Sequence, residues 1–201
     1  MIMTNLLEGN PSYIEIYDNA LNQKECDLLI NQFEKSNPTQ GHTGLGYRPQ
    51  VKKCLQLKRP AFSDRSIISN IVRPTLIKYV DKYNERYSNL LGNMMPWNYY
   101  DEYSFQKYET EDDGYKAWHC EHAYTKGYDG LEGASRRILA WMFYLNNAKS
   151  GTEFMQYPTV RARMGRCVIW PAGWTHVHRG VIPNKGLKYI ITGWASFTNE
   201  K

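Results

Sequence analysis

Two short segments lie about sixty residues apart: Trp118-His119-Cys120-Glu121-His122 and Trp174-Thr175-His176-Val177-His178-Arg179-Gly180. The first contains a His-x-Glu. In an extended chain, side chains two apart share a face, so His119 and Glu121 can reach one ion together. The second segment supplies another imidazole from a distant strand. A fold that uses all three must bring two well-separated extended stretches face to face. Two imidazoles and one carboxylate on one face of an octahedral ion leave the opposite face open to further ligands.

The rest of the chain reads as a support for such strands. Residues 13–17 (Tyr-Ile-Glu-Ile-Tyr) alternate like a short strand. Asn22-Gln23-Lys24-Glu25 is a capping box, in which Asn22 accepts from the amide three residues on and Glu25 reaches back. Leu28, Leu29 and Phe33 carry that helix to about Ser36, and Asn37-Pro38 ends it. Gly41–Gly46 reads as a loop and Lys52–Leu57 as a strand. The longest helical pattern runs from Arg65 to Leu91, with Pro74 inside it, where a proline should kink or split the helix. Beyond Pro96 come strand-like pieces at 97–108, 115–122, 137–146, 152–156, 160–163, 166–171, 176–182 and 187–198, separated by turn residues. Two helices on about eight short strands predict a mainly β (α+β) jelly roll with N-terminal helical support. The expected organisation is one domain over 1–201, with support in 1–95 and the jelly-roll core in 96–201. The Gly- and charge-rich stretch 125–135 is the expected mobile loop.

Composition narrows the setting. Hydrophobic residues make up 42% of 201, which argues against disorder. No run of eighteen apolar residues exists, so no membrane span is expected. Nor does the start read as a secretory signal. The four cysteines (Cys26, Cys54, Cys120, Cys167) lack Cys-x-x-Cys spacing and read as free thiols in a reducing compartment. The expected location is therefore the cytoplasm, of a bacterium or of a virus-infected host cell. The net charge of +5 is spread out except at Arg48, Lys52, Lys53, Lys58 and Arg59. The favoured reading of that stretch is a solvated edge strand. The sharper one is a surface for an acidic or nucleic-acid partner, and no nucleic-acid motif supports it.

Around the candidate ligands, several residues need weighing. His176 lies two before His178 and is its rival; only His178 is followed by Gly180 and stands ten residues before Lys188. A hairpin through Pro183-Asn184-Lys185-Gly186 would set Lys188 beside His178, where an ammonium can hold a carboxylate deep in a pocket. Cys120 reads as a buried structural thiol facing away from the ion. His122 reads as pointing the other way, and His42 as ordinary loop chemistry. Trp118 and Trp174 are explained by packing, as are Trp97, Tyr99, Tyr100 and Tyr103. Arg161, Arg163 and Arg179 read as exposed strand-edge cations.

The order Tyr108, Gly114-Tyr115, His119-x-Glu121, Arg137, Tyr144-Leu145-Asn146, Gly151-Thr152-Glu153, Gly165, Pro171, His178-x-Gly180, Pro183, Gly186-x-Lys188, Trp194 resembles the prolyl 4-hydroxylase branch of the 2-oxoglutarate- and Fe(II)-dependent dioxygenases. The likeness covers about residues 97–198. It implies a double-stranded β-helix that uses Fe(II), 2-oxoglutarate and dioxygen, with ascorbate as a stimulant. Carried across, it makes His119, Glu121 and His178 the iron ligands. It gives Lys188 to the distal carboxylate of 2-oxoglutarate and Tyr144 and Tyr108 to hydrogen bonds with it, and sets Thr192 and Trp194 in the same pocket. The family usually has Asp where Glu121 stands. Halogenating relatives lack the carboxylate altogether, so Glu121 points to hydroxylation. The implied substrate is a proline-containing protein or peptide. The alternatives are another amino-acid side chain, a free amino acid or small molecule, or a non-catalytic metal-binding jelly roll.

Overall fold

The computed structural model describes residues 11–59, 66–99, 103–122, 136–183 and 186–198. The stretch 125–135, Tyr100 and the Asn184-Lys185 turn lie outside them. The elements are, in chain order, β1 (Glu15–Tyr17), α1 (Gln23–Glu34), β2 (Thr39–Gln40), β3 (Lys52–Lys53), β4 (Leu55–Arg59), α2 (Ile67–Arg86), α3 (Ser88–Leu91) and β5 (Trp97–Asn98). The second half continues with β6 (Tyr103–Tyr108), β7 (Gly114–Tyr115), β8 (Arg137–Tyr144), β9 (Gly151–Phe154), β10 (Val160–Arg161), β11 (Arg166–Pro171), β12 (His178–Val181) and β13 (Lys188–Phe197).

The capping box forms as the sequence implies. Asn22 Oδ1 accepts from Glu25 N at 3.0 Å, and Glu25 Oε2 accepts from Asn22 N at 2.8 Å. Pro74 does not split α2, which runs unbroken from Ile67 to Arg86. An interior proline costs about 3 kcal/mol. Val72, Leu76, Val80 and Tyr83 are buried on both sides of it, and each such burial returns about 1.5–3 kcal/mol. Thr75 Oγ1 also donates to Ile71 O at 2.9 Å, next to the missing amide bond.

Among the described residues the larger sheet runs β1-β11-β8-β13-β6-β4-β2, with β5 also paired to β13; every pairing is antiparallel. A smaller sheet runs β10-β9-β12, and β3 pairs with β7. This is the expected jelly roll. Period-two alternation sorts the side chains of the larger sheet. Phe105, Trp141, Phe143, Ile169 and Ile191 point to the helices and pack with Leu29, Phe33, Leu76 and Tyr83. Tyr108, Ala140, Tyr144, Trp170 and Ile190 point the other way, into the space between the sheets. That inner space is where the site forms.

Two strand expectations change in detail. Residues 115–122 are not one strand: β7 ends at Tyr115, and His119 instead makes an isolated bridge with His178. Glu121 N donates to Ala172 O at 3.0 Å, so this stretch is pinned first to the start of β12 and then to the turn that follows β11. Residues 174–176 form a single 3-10 turn before β12, because Pro171-Ala172-Gly173 bends the chain out of β11.

Gly165 ties the start of β11 to the loop before α1. Its φ is +75°, and an added Cβ would lie 2.0 Å from Leu21 O. Its amide also donates to Tyr144 O at 2.9 Å. Neither the conformation nor the space admits a side chain. Gly165→Ala is expected to lower the melting temperature by at least about 5 °C, read by circular dichroism. An unchanged melt would mean the loop can move aside freely.

Candidate functional site

His119, Glu121 and His178 converge as the sequence suggests. One ligand atom from each lies within 4.8 Å of the others. The backbone sets this up: His119 N donates to His178 O at 3.0 Å, and His178 N donates to His119 O at 2.8 Å. The outer nitrogens are also taken. His119 Nδ1 faces Ala117 O at 3.0 Å, and His178 Nδ1 faces His176 O at 2.9 Å. A carbonyl only accepts, so both Nδ1 atoms carry the proton and both Nε2 atoms present lone pairs to the cluster. Tyr115 stacks on the His119 ring with centroids 3.7 Å apart, fixing its plane.

Glu121 completes the set. Burial alone would push its carboxyl up, but His178, His119 and Arg137 outweigh that and bring it down to about 2. Its Oε1 lies 3.3 Å from His178 Nε2. Its Oε2 accepts from Trp194 Nε1 at 2.6 Å. The glutamate therefore reaches the cluster with its backbone tied to Ala172 and its outer oxygen held by an indole. Burial also lowers His119 to about 4, so it stays neutral at physiological pH. Two lone-pair nitrogens and an anionic oxygen, each with its other side already bonded, form a donor set suited to a divalent cation.

The cluster opens into a cavity of about 730 Å³ between the sheets, a size suited to a small ligand. All of the remaining sequence candidates line it: Lys188, Tyr144, Tyr108, Thr192 and Trp194. Lys188 arrives there by a route other than the one its sequence position suggests. It does not sit on a hairpin strand beside His178. β13 pairs with β6 and β8, whereas β12 pairs with β9, so the two residues face each other across the sandwich. The chain crosses between the sheets rather than turning back on itself. Lys188 is buried; its ammonium donates to Val181 O at 3.3 Å and lies 4.3 Å from the Tyr108 ring centroid. No carboxylate pairs with it among the described residues. Burial lowers its pKa to about 8.

The tyrosine hydroxyls are engaged locally. Tyr144 Oη and Thr152 Oγ1 are 2.6 Å apart, and Tyr108 Oη donates to Gln106 Oε1 at 2.5 Å. Thr192 Oγ1 donates to Trp141 O at 2.8 Å, so it shapes the wall through its methyl group. Trp170 Nε1, also in the wall, is buried with no partner. A buried orphan donor in a cavity marks a place for a ligand acceptor.

The rival ligand is excluded by geometry. His176 points away: its Nε2 faces Ser12 O at 2.7 Å, and its ring stacks on Tyr157. Cys120 is half-buried and lines the cavity, contrary to the expectation of a buried thiol facing away; the stretch that carries it does not keep strand alternation. His122 is exposed, with Nε2 at 2.7 Å from Arg137 O. Trp118 sits under the Arg179 guanidinium at 4.4 Å, and Arg179 Nε donates to Glu153. Trp174 is 77% exposed, so packing does not explain it. Trp97, Tyr99 and Tyr103 do pack on the core.

Sequence reasoning missed the far wall. Lys52, Gln56, Lys58, Ser104 and Gln106 line the cavity too, and so does His42 from its loop. The signal was available as alternation: polar Lys52, Gln56 and Lys58 fall at even positions, while Leu55 and Leu57 fall at odd ones.

Fold and site can now be set beside known proteins. Residues 103–196, from the start of β6 into β13, match the 2OG-Fe(II) oxygenase superfamily. The matched segment contains the whole His-Glu-His cluster and Lys188. Among solved structures, the viral collagen prolyl hydroxylase of Paramecium bursaria Chlorella virus-1, in complex with 2-oxoglutarate, is 18% identical with a TM-score of 0.64, over 96% of this chain and 99% of that one. A Pseudomonas putida prolyl-4-hydroxylase is 12% identical with a TM-score of 0.66, over 92% and 93%. A Trichoplax adhaerens prolyl hydroxylase, in complex with a peptide fragment of the hypoxia inducible factor oxygen degradation domain, is 16% identical with a TM-score of 0.68, over 93% and 84%. At these identities the likeness is one of fold. No curated protein matches the chain in sequence.

Proposed function

We propose that this chain is a dioxygenase that hydroxylates an aliphatic C–H, and that the C–H belongs to a prolyl residue of a protein or peptide. The observation that carries the reading is the placement of His119, Glu121 and His178 in one cavity with a buried lysine that has no carboxylate partner. The three residues would hold Fe(II). Lys188 would take the distal carboxylate of 2-oxoglutarate, with Tyr144 and Tyr108 as hydrogen-bonding neighbours and Thr192 and Trp194 as walls. Iron, 2-oxoglutarate and dioxygen together supply the oxidising power: one oxygen atom enters the substrate, the other enters succinate, and carbon dioxide leaves. The protein orients the partners and excludes water. The prolyl substrate is supported by the names of the structural neighbours and by motif order.

The chain is read as one domain working in a reducing cytosol, of a bacterium or a virus-infected host. All four cysteines are free, which agrees with such a compartment. Among the described residues, no helix is long and apolar enough to cross a membrane. Incubation with Fe(II), 2-oxoglutarate and ascorbate should release succinate, and proline-rich peptides should gain one oxygen by mass spectrometry. Succinate without peptide oxidation would keep the dioxygenase and remove the prolyl substrate. No succinate under any condition would leave a metal-binding module.

Trp194 gives a sharper test of the ligand geometry. Its indole holds the oxygen of Glu121 that faces away from His178. Loss of such an outer partner weakens metal binding about 10–100-fold. Trp194→Phe should show that loss in Mn(II) titrations followed by electron paramagnetic resonance, with little change in melting temperature. Unchanged affinity would mean Glu121 needs no orientation.

A further inference from the structure

The cavity holds a second buried cation that the cosubstrate does not need. Lys52, in β3, is 6% exposed. Its ammonium donates to Gln56 Oε1 at 2.9 Å and to His42 O at 3.2 Å. Both acceptors are neutral. A buried ammonium without an opposite charge is costly, and burial accordingly holds Lys52 below the ordinary lysine range. Lys52 and Lys188 are the two buried ammonium groups of the cavity lining, and among the described residues each donates only to neutral oxygens.

Lys52 and Lys188 also occupy different places. Lys188 lies against Tyr108 and Val181, whereas Lys52 lies against Gln56 and the His42 loop. Between them runs a wall of neutral polar groups. Gln56 is in register with Gln106. The Gln106 oxygen accepts from Tyr108 Oη, and its amide donates to Ser104 Oγ at 3.0 Å. One dicarboxylate that chelates the metal with one end and meets Lys188 with the other leaves Lys52 unanswered.

We infer that Lys52 and Gln56 form a subsite for a carboxylate of the molecule that is oxidised, separate from the position of 2-oxoglutarate at Lys188. This rests on the dioxygenase reading above and adds to it that the substrate is acidic. The carboxylate can come from an Asp or Glu side chain near the oxidised residue, or from the α-carboxylate of a terminal or free amino acid. The Lys52 ammonium donates only to neutral oxygens, those of Gln56 and His42, whereas a carboxylate supplies the missing charge as well as acceptors.

The test uses the full chain with saturating Mn(II) and 2-oxoglutarate, and three probes: acetyl-Glu-Pro-Glu amide, acetyl-Gln-Pro-Gln amide and N-acetylproline. At least one acidic probe should bind ten times more tightly than the neutral amide by calorimetry. Which one does so tells side-chain from α-carboxylate. Lys52→Gln should abolish the preference while moving the Kd of 2-oxoglutarate less than twofold. Lys52→Met, which keeps the stem and removes the charge, should do the same and melt no lower than the parent chain, so unfolding does not explain the loss. The inference is overturned if the neutral probe binds as well as both acids, or if the preference survives in Lys52→Gln. It is equally overturned if that variant loses 2-oxoglutarate, or if a short oligothymidylate takes over the Lys52-dependent binding. Failure of the parent chain to bind 2-oxoglutarate would bring down the dioxygenase reading and the subsite together. Binding of 2-oxoglutarate without acid preference would bring down the subsite alone.

Discussion

His178→Ala is expected to abolish succinate formation and to weaken Mn(II) or Fe(II) binding by more than about a hundredfold, the upper end of what loss of a mere outer partner costs. His178 is the most constrained of the three cluster residues. It is 4% exposed, its backbone is locked to His119 in both directions, and its Nδ1 proton is spent on His176 O. Only Nε2 is left, and it faces Glu121 Oε1 at 3.3 Å. Ligand atoms about 2.1 Å from one ion and at right angles to each other stand about 3 Å apart, so this separation already suits a shared cation. The matched control is His176→Ala. That imidazole bonds Ser12 O and stacks on Tyr157, and its loss costs stability without touching the cluster. The carbonyl of residue 176 that orients His178 is retained in the variant. Equal loss of metal in the two alanine variants would remove the ligand assignment, and a lower melting temperature with full metal binding in His176→Ala would support it.

What the sequence made legible follows from where local rules suffice. The Asn22–Glu25 cap needs only four consecutive residues, and it formed as read. Tyr103–Tyr108 and Lys188–Phe197 were legible as strands, but not which side chains face the helices and which the cavity: every residue of β6 is buried, and β13 shifts register between Ala195 and Ser196. His119 and Glu121 shared a face for a reason other than the one their spacing offered. They sit in an irregular stretch pinned first to His178 and then to Ala172, and no periodicity encodes that. Lys188 does line the cavity, but it arrives by another path than its spacing suggested, because a ten-residue separation cannot distinguish a hairpin from a crossing between sheets. Pro74 misled because a local cost was weighed without the burial that offsets it. Lys52 was hidden by its company. Among five basic residues it looked like solvent-facing charge, and only the pairing of β3 with β7 and of β4 with β6 turns that face inward.

Lys188→Met is expected to raise the Kd of 2-oxoglutarate at least about a hundredfold in the Mn(II)-loaded protein. Removing one member of a buried charge pair costs about 3–5 kcal/mol, because the other charge is left uncompensated, and 1.4 kcal/mol is a factor of ten. Lys188 meets that condition, since it is 3% exposed and, among the described residues, its ammonium donates only to the neutral carbonyl of Val181. The pH dependence makes the assignment specific. Burial has brought the lysine of the ligand-free protein down to about 8. A carboxylate favours the charged form, so the pKa in the complex is higher. Below about pH 8 the lysine is already protonated and affinity is at its plateau. Above it, binding must take up a proton, and affinity falls by up to tenfold per pH unit until the pKa of the complex is reached. Calorimetry of 2-oxoglutarate binding between pH 6.5 and 9.5, figures chosen to bracket that value by roughly one and a half units on each side, should show this fall in the parent chain and a flat, weak profile in Lys188→Met. A parent profile that rises with pH, or a methionine variant that keeps both the affinity and the slope, would assign the distal carboxylate to another residue, with Lys52 the next cation to test.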